Sequence, residues 1–432
     1  MIGNIIVIIT LIVMISSLLF FPKIKFRRWS IDTYWVIVFF GALLIILTFT
    51  LDLRSLWNGL INNDAMNPVK LVILFIMMTF FSLFLDELGF FKWLAYILLK
   101  KIKNSQITLF VSLYFLVGLL TIITSNDVII LTFTPLVIYF TREAKIKPLP
   151  YLFAILTAAN TWSIMLIVGN PTNMYLALNE DVTFFEYFKV MYLPAIGAGI
   201  SGLMVLLLLF YKDLKLPYEG SSHEYELKDK PLTLITLFIM IATLVLLAVA
   251  NFIDAELYLI VLLMALFLTL FASGYLFFRK KDFRPLINAY RIAPWNFIPL
   301  VLSMFVLVET LRQSGVIVVF ASLLSKGNVI FNYGVGTFVT SNLMNNQPAS
   351  MLFSEILQIT DKTIRLPAMY ASVIGSNLGV LLTPLGALAG LMWMNILKHS
   401  DVKLNFFSYI KHIFIVGIVT MIVSLGLLEL MI

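Results

Sequence analysis

Asparagine is costly to bury in an apolar helix. Yet Asn160 and Asn377 each stand ten residues after a proline, Pro150 and Pro367, in two stretches of mostly apolar and small residues. The first reads Pro150-YLFAILTAA-Asn160 and continues to Gly169-Asn170-Pro171-Thr172-Asn173. The second reads Pro367-AMYASVIGS-Asn377 and continues to Thr383-Pro384-Leu385-Gly386. Two further polar groups interrupt apolar runs: Thr124-Ser125-Asn126-Asp127 and Met344-Asn345-Asn346-Gln347-Pro348. Amides and hydroxyls at such breaks are neutral donors and acceptors. They suit hydroxylated neutral solutes, oxyanions, or Na⁺ held through oxygens. Helix N-termini exposed at breaks add partial positive charge that favours anions. Gly169 and Gly386 permit close backbone approach, while Pro171, Pro348 and Pro384 deny a helix one donor and so free a carbonyl. The candidate substrate-binding residues are therefore Asn126, Asn160, Gly169, Asn170, Thr172, Asn173, Asn345, Asn346, Asn377 and Thr383.

Asp127 is the sharpest single residue. An acid at the bilayer centre costs roughly 2.5–3.5 kcal/mol on insertion scales. There it carries a proton or, with Ser125 and backbone carbonyls, ligates Na⁺; the alternative is a helix cap that accepts from free N–H groups. Glu87 and Glu309 are the other candidate coupling acids near breaks, and Asp86 with Glu87 also suits a cap on the helix that follows. His223, His399 and His412 lack metal-ligand spacing, so no metal site is expected and no cofactor beyond a coupling H⁺ or Na⁺.

The elements that must position these groups follow from composition. The 432 residues are 61% hydrophobic and 12% charged, with mean hydropathy +1.00. A soluble domain carries about twice that charge. Many apolar runs reach the roughly 20 residues that cross a bilayer, so the class is an all-α polytopic membrane protein of the cell inner (plasma) membrane. The absence of cysteine removes disulfides, thiolate metal sites and cysteine nucleophiles. The net charge of +7 lies in short loops between spans and sets orientation, with no nucleic-acid role. No Walker lysine motif, HExxH or paired-Asp protease signature is present, so the chain is not read as an enzyme. Met1 to Phe21 is expected to be a first span rather than a cleaved signal.

The apolar segments are 2–21, 33–51, 69–100, 107–140, 150–180, 188–211, 232–252, 255–278, 294–325, 331–358, 366–397 and 405–431. Basic clusters at Lys23 to Arg28, Lys100 to Lys103, Arg142 to Lys147 and Arg279 to Arg291 are expected in the cytoplasm. Segment 107–140 then has basic loops at both ends, so it must enter and return on one side. Its counterpart 331–358 lies on the other. The halves also end in like tails, FFEYFKV (Phe184 to Val190) and FFSYIKH (Phe406 to His412), and Asp86 to Gly89 aligns with Glu309 to Arg312. The expectation is two inverted-topology repeats, 1–211 and 232–432, joined by a cytoplasmic linker at 212–231. They contain about ten spans, two opposed re-entrant helical hairpins (107–140 and 331–358) and two broken helices (150–180 and 366–397), with membrane lipid around them and both termini outside.

These motifs resemble the ion transporter superfamily, and within it the ArsB/NhaD-like branch of arsenite permeases and Na⁺/H⁺ antiporters. The resemblance rests on Leu85-Asp86-Glu87-Leu88-Gly89-Phe90-Phe91-Lys92-Trp93, on Asn126-Asp127 followed by Leu131-Thr132-x-Thr134-Pro135, and on Ala293-Pro294-Trp295-Asn296. Met344-Asn345-Asn346-x-Pro348, Gly375-Ser376-x-Leu378-Gly379 and Thr383-Pro384-x-Gly386 complete it. It implies scaffold and transport helices, two hairpins meeting at a central site, and ion-coupled transport of a small ion, often a trivalent metalloid carried outward. It also implies a homodimer and, in arsenite systems, a separate ATPase subunit. The chain departs at Asn377, where arsenite permeases usually carry Asp, and Gly169 to Asn173 looks more like the anion-carrying relatives. Three functions stay open at this level: proton-driven arsenite/antimonite extrusion, Na⁺-coupled uptake of an inorganic oxyanion or carboxylate, and Na⁺/H⁺ antiport.

Overall fold

The computed structural model describes residues 2–432 except 22, 27–28, 62–66, 103–104, 179, 181, 217–224 and 254. Arg27, Arg28, Lys103, His223 and part of the 212–231 linker therefore lie outside the described residues. The rest is helical apart from a short antiparallel hairpin, β1 (Lys23–Phe26) with β2 (Trp29–Asp32), in the first basic loop.

The helices fall into two series of ten. The first is α1 (Ile2–Phe20), α2 (Thr33–Leu47), α3 (Leu53–Ile61), α4 (Pro68–Glu87), α5 (Phe90–Lys101), α6 (Gln106–Ile123), α7 (Asn126–Glu143), α8 (Pro148–Trp162), α9 (Pro171–Leu178) and α10 (Phe184–Leu214). The second is α11 (Lys230–Val249), α12 (Leu257–Phe278), α13 (Arg284–Ile292), α14 (Phe297–Gln313), α15 (Val316–Leu324), α16 (Val329–Met344), α17 (Asn346–Ile359), α18 (Lys362–Leu378), α19 (Leu388–His399) and α20 (Phe406–Met431). Two 3₁₀ turns separate α8 from α9, and two more separate α18 from α19.

Contacts repeat with the elements. α6 packs on α8 as α16 packs on α18, and α7 packs on α19 as α17 packs on α9. α2 meets α14 as α12 meets α4, and the two long helices α10 and α20 pack against each other. Caps recur as well. Ser105 caps α6 and Asn328 caps α16, while Thr183 caps α10 and Asn405 caps α20. Each cap satisfies N–H groups that the helix itself cannot.

One alignment made from sequence is corrected. Gly89 (φ +85°) and Gly315 (φ +77°) hold the same turn, between α4 and α5 and between α14 and α15. Asp86 therefore matches Arg312, three residues on from Glu309. Apolar helices constrain register weakly, so the turn glycine is the better anchor.

Among the described residues seven helical stretches are long and apolar enough to span a membrane. The outer faces suit lipid: Leu263, Leu270 and Phe277 on α12 and Leu208 on α10 are exposed. Hairpin α6–α7 turns on only Thr124 and Ser125, and both arms pack on α8; α16–α17 turns on Asn345 (φ +75°), and both arms pack on α18.

If α1, α2, α4, α8–α9 and α10 each cross once, the odd count turns the second series over. Because the chain has no native cysteine, single cysteines test this directly. With an impermeant maleimide on intact cells, Lys326→Cys should label at once, whereas Glu226→Cys should label only after permeabilisation. Equal labelling of both from outside would rule out the inverted arrangement.

Candidate functional site

Two broken helices cross near the middle of the fold, where α18 packs against α8, α9 and the first 3₁₀ turn of the 163–169 break. The crossing is closed by side-chain amides. Asn377 Oδ1 accepts from Asn170 Nδ2 at 2.8 Å and from Ser163 Oγ at 3.0 Å. Its Nδ2 donates to Asn173 Oδ1 at 2.6 Å and to the Val373 carbonyl at 2.8 Å. Asn160 makes the matching bond to the Leu156 carbonyl at 2.7 Å, and its Oδ1 accepts from Asn126 Nδ2 at 3.2 Å. All these groups are buried.

A break in a membrane helix leaves backbone groups with no water to bond. Here side chains take them. Asn173 Nδ2 donates to the Ser163 and Leu166 carbonyls at 2.8 and 2.9 Å. Asn342 Nδ2 donates to the Gly379 carbonyl at 2.9 Å, while its Oδ1 accepts from Thr383 N and Oγ1. Asn345 Nδ2 reaches the Leu385 carbonyl at 3.5 Å. The shared tails supply the remaining pair: Tyr187 donates to the Ile164 carbonyl at 2.8 Å and Tyr409 to the Val380 carbonyl at 2.6 Å. Gly169 and Gly386 sit where a Cβ would come within 2.4 Å of the Ser163 carbonyl oxygen and 2.2 Å of Gly379 backbone atoms. Only glycine fits either place.

The prolines act differently from the sequence expectation. Pro171 opens α9, Pro348 lies in the first turn of α17, and Pro384 opens the second 3₁₀ turn after α18. A proline in a first turn removes a donor that had no helical partner anyway, so these residues start helices rather than interrupt them. Asn170 then caps α9 by accepting from Thr172 N at 3.2 Å.

The hairpin tips are less satisfied than the crossing. Among the described residues, Ser125 Oγ, Asn126 Oδ1, Asn346 Oδ1 and Gln347 Oε1 are buried without a hydrogen-bond partner. Orphaned polar atoms in such a setting are expensive, and each calls for an explanation. Asp127, the second residue of α7, makes no side-chain hydrogen bond or ion pair among the described residues. It faces a cavity of ≈ 1100 Å³ that also reaches Gln347, Pro384 and Tyr34. The cavity's other end carries Arg291, Lys398 and Lys403, with Asp32 and Asp401.

Glu87 and Glu309 lie elsewhere. Glu87 accepts from Asn288 Nδ2 on α13 at 3.2 Å. Glu309 binds Arg312 through both carboxylate oxygens at 2.6 Å each, and also takes Ser55 and Gln313. Neither lines the cavity that Asp127 faces. Sequence reasoning passed over Asn342, Ser163 and the two tail tyrosines. The repeat of the FF-x-Y-x-K tail was the signal for the tyrosines. Nothing local marks Asn342, whose partners lie 37 and 41 residues away.

The four bonds of Asn377 give a direct test. Asn377→Asp keeps the shape but removes both donors and sets a carboxylate against two acceptor oxygens. Melting in detergent should show a loss of about 2–4 kcal/mol. Unchanged stability would mean that the network does not hold the crossing.

A family model described as a citrate transporter matches residues 29–361. An arsenical pump membrane protein of Yersinia enterocolitica is 30% identical over 400 residues, 88% of each chain. A putative arsenical pump membrane protein of Bacillus subtilis (strain 168) is 29% identical over 415 residues, 89% of this chain and 92% of its own. Among solved structures, Neisseria gonorrhoeae MtrF, titled as one of a class of antimetabolite efflux pumps, is similar in fold. Its TM-score is 0.57 at 13% identity, over 99% of this chain and 94% of its own. The chain belongs to the ion transporter superfamily, in its ArsB-like branch of multi-pass inner-membrane transporters.

Proposed function

We propose that the protein exports a neutral trivalent metalloid hydroxide, arsenite or antimonite, driven by the proton gradient, with Asp127 as the inner proton carrier. The observation that carries this reading is that Asp127 and Gln347, one from each hairpin, line the same cavity, while unpaired buried oxygens stand at both tips among the described residues. Arsenious acid is uncharged at neutral pH and offers three hydroxyl donors. Free amide and hydroxyl oxygens match those donors. No lysine or arginine takes part in the amide network or stands among the unpaired tip atoms, so an oxyanion would find only helix-end dipoles there.

The cavity is also lined by Arg291 from the last turn of α13, Lys398 from the last turn of α19 and Lys403 just after it, and the charge pattern assigns the Arg279 to Arg291 cluster to the cytoplasm. On that orientation the site faces inward, ready to load a substrate for export. The same basic lining favours the second reading, Na⁺-coupled carriage of an anion, because it concentrates negative solutes there. A proton antiporter needs a carboxyl that ionises in one state and is neutralised in the other. Asp127 suits this role, since among the described residues no hydrogen bond or counter-ion fixes its charge.

Proteoliposomes separate the readings. Arsenite should accumulate under an imposed pH gradient and be indifferent to Na⁺. Citrate or phosphate uptake driven by Na⁺, without arsenite movement, would replace the first reading by the second.

Asp127→Asn should reduce gradient-driven arsenite accumulation to the level of empty liposomes. Stability should change by no more than a few tenths of a kcal/mol, since Asn is nearly as good at a helix start. Full gradient-driven accumulation by this variant would remove Asp127 from the coupling role.

A further inference from the structure

A second polar cavity, of ≈ 510 Å³, lies away from the one that Asp127 faces. It is lined by Asp52, Arg54, Ser55, Glu309, Arg312 and Glu355 among others. Glu355 was not singled out by its sequence, although it is the only acid in α17. It is buried, yet among the described residues its one polar side-chain contact is a long one, 3.7 Å from Arg312 Nε. Arg312 spends its short bonds on Glu309 instead, at 2.6 Å from Nε and 2.6 Å from Nη2. The cluster therefore holds two buried carboxyls and one guanidinium, and Glu309 has most of that charge.

The elements around Glu355 add little to balance it. From α9 comes Tyr175, whose hydroxyl is buried and without a partner among the described residues, within electrostatic reach of Glu355. α15 contributes no titratable residue. Tyr333 of α16 bonds Thr360, and Arg365 of α18 bonds the Gln358 and Thr360 carbonyls and pairs with Glu180. Asp52 and Arg54 enter from the start of α3, where Asp52 Oδ1 accepts from the Arg54 backbone N–H at 3.1 Å, and both line the cavity. A buried carboxylate with a half-share of one distant cation is costly as an anion. Taking up a proton removes that cost.

We propose that Glu355 is a second proton-binding site of this transporter, on the face opposite Asp127, with Arg312 the counter-charge it shares with Glu309. The proton adds to a carboxylate oxygen of Glu355 from water in the cavity. It leaves when Arg312 swings from Glu309 toward Glu355. α17 carries Gln347 at its tip and Glu355 two turns later, so one rigid helix joins the substrate site to this carboxyl. The role in transport rests on the reading proposed above; proton binding itself does not.

Infrared difference spectra of the purified full chain, titrated with base, test the site without substrate or gradient. A carboxylic-acid C=O band present at neutral pH should vanish on alkalinisation. Because Asp127 carries a proton of its own, the band is followed in the Asp127→Asn background, where it should persist and be missing once Glu355→Gln is added. Glu309→Gln frees Arg312 for Glu355 and should move the midpoint of that band about one pH unit or more toward acid. This second variant decides the matter if Glu355→Gln does not fold. In that background a band that survives Glu355→Gln, or a midpoint unmoved by Glu309→Gln, overturns the proposal. In proteoliposomes, Glu355→Gln should retain zero-gradient arsenite exchange but lose its response to pH on the α17 side. A wild-type protein that moves no arsenite yet shows the band would sink the substrate reading and leave the proton site standing.

Discussion

The amide of Asn377 is the interaction on which the central architecture depends. Its oxygen and nitrogen each serve two partners, and three of the four belong to the first half of the chain. Breaking two helices inside a membrane exposes carbonyls and N–H groups that lipid cannot satisfy. Each break would be unstable alone. Set across one another, they are stabilised by asparagines that reach over, by Tyr187 and Tyr409 from the long helices, and by Asn342 from the hairpin. A neutral amide is the residue type that can donate and accept at once. An acid at 377 would remove the donor that reaches the Asn173 oxygen at 2.6 Å and set a carboxylate against it.

The crossing and the tips differ in how far their polar atoms are satisfied among the described residues. At the crossing nearly every polar atom is paired, which fixes the backbone. At the tips Asn126, Asn346 and Gln347 keep free oxygens. Rigid support beside unsatisfied groups is how a site is held open for a ligand. The acids then divide by surroundings. Asp127 faces the larger cavity with no counter-ion, Glu309 is locked to Arg312, and Glu355 stands between these extremes. Three carboxyls with similar intrinsic chemistry are thus set apart by the donors that reach them.

The sequence by itself determined a good deal. Hydropathy and charge establish a polytopic membrane helix protein, because only helices satisfy their own backbone over so many apolar residues. The proline-to-asparagine spacing locates both breaks, because it repeats in the two halves and each copy runs on into a Gly/Pro/Thr cluster. The repeated tail locates α10 and α20. The basic loops around 107–140 mark a hairpin, because charge cannot be left in the bilayer.

Tertiary structure decided the rest. Which amide meets which is invisible in sequence, for Asn377 and its partners Asn170 and Asn173 are more than 200 residues apart. The register of α4 against α14 was misjudged by three residues, because apolar helices align about equally well at several offsets and only the left-handed glycine turn fixes the match. Glu309 looked like a coupling acid until Arg312, Ser55 and Gln313 were seen to hold it. Glu355 looked like nothing until its lack of such partners became visible. A carboxyl's type is written in the chain; whether it keeps its charge is set by which donors the fold brings within reach.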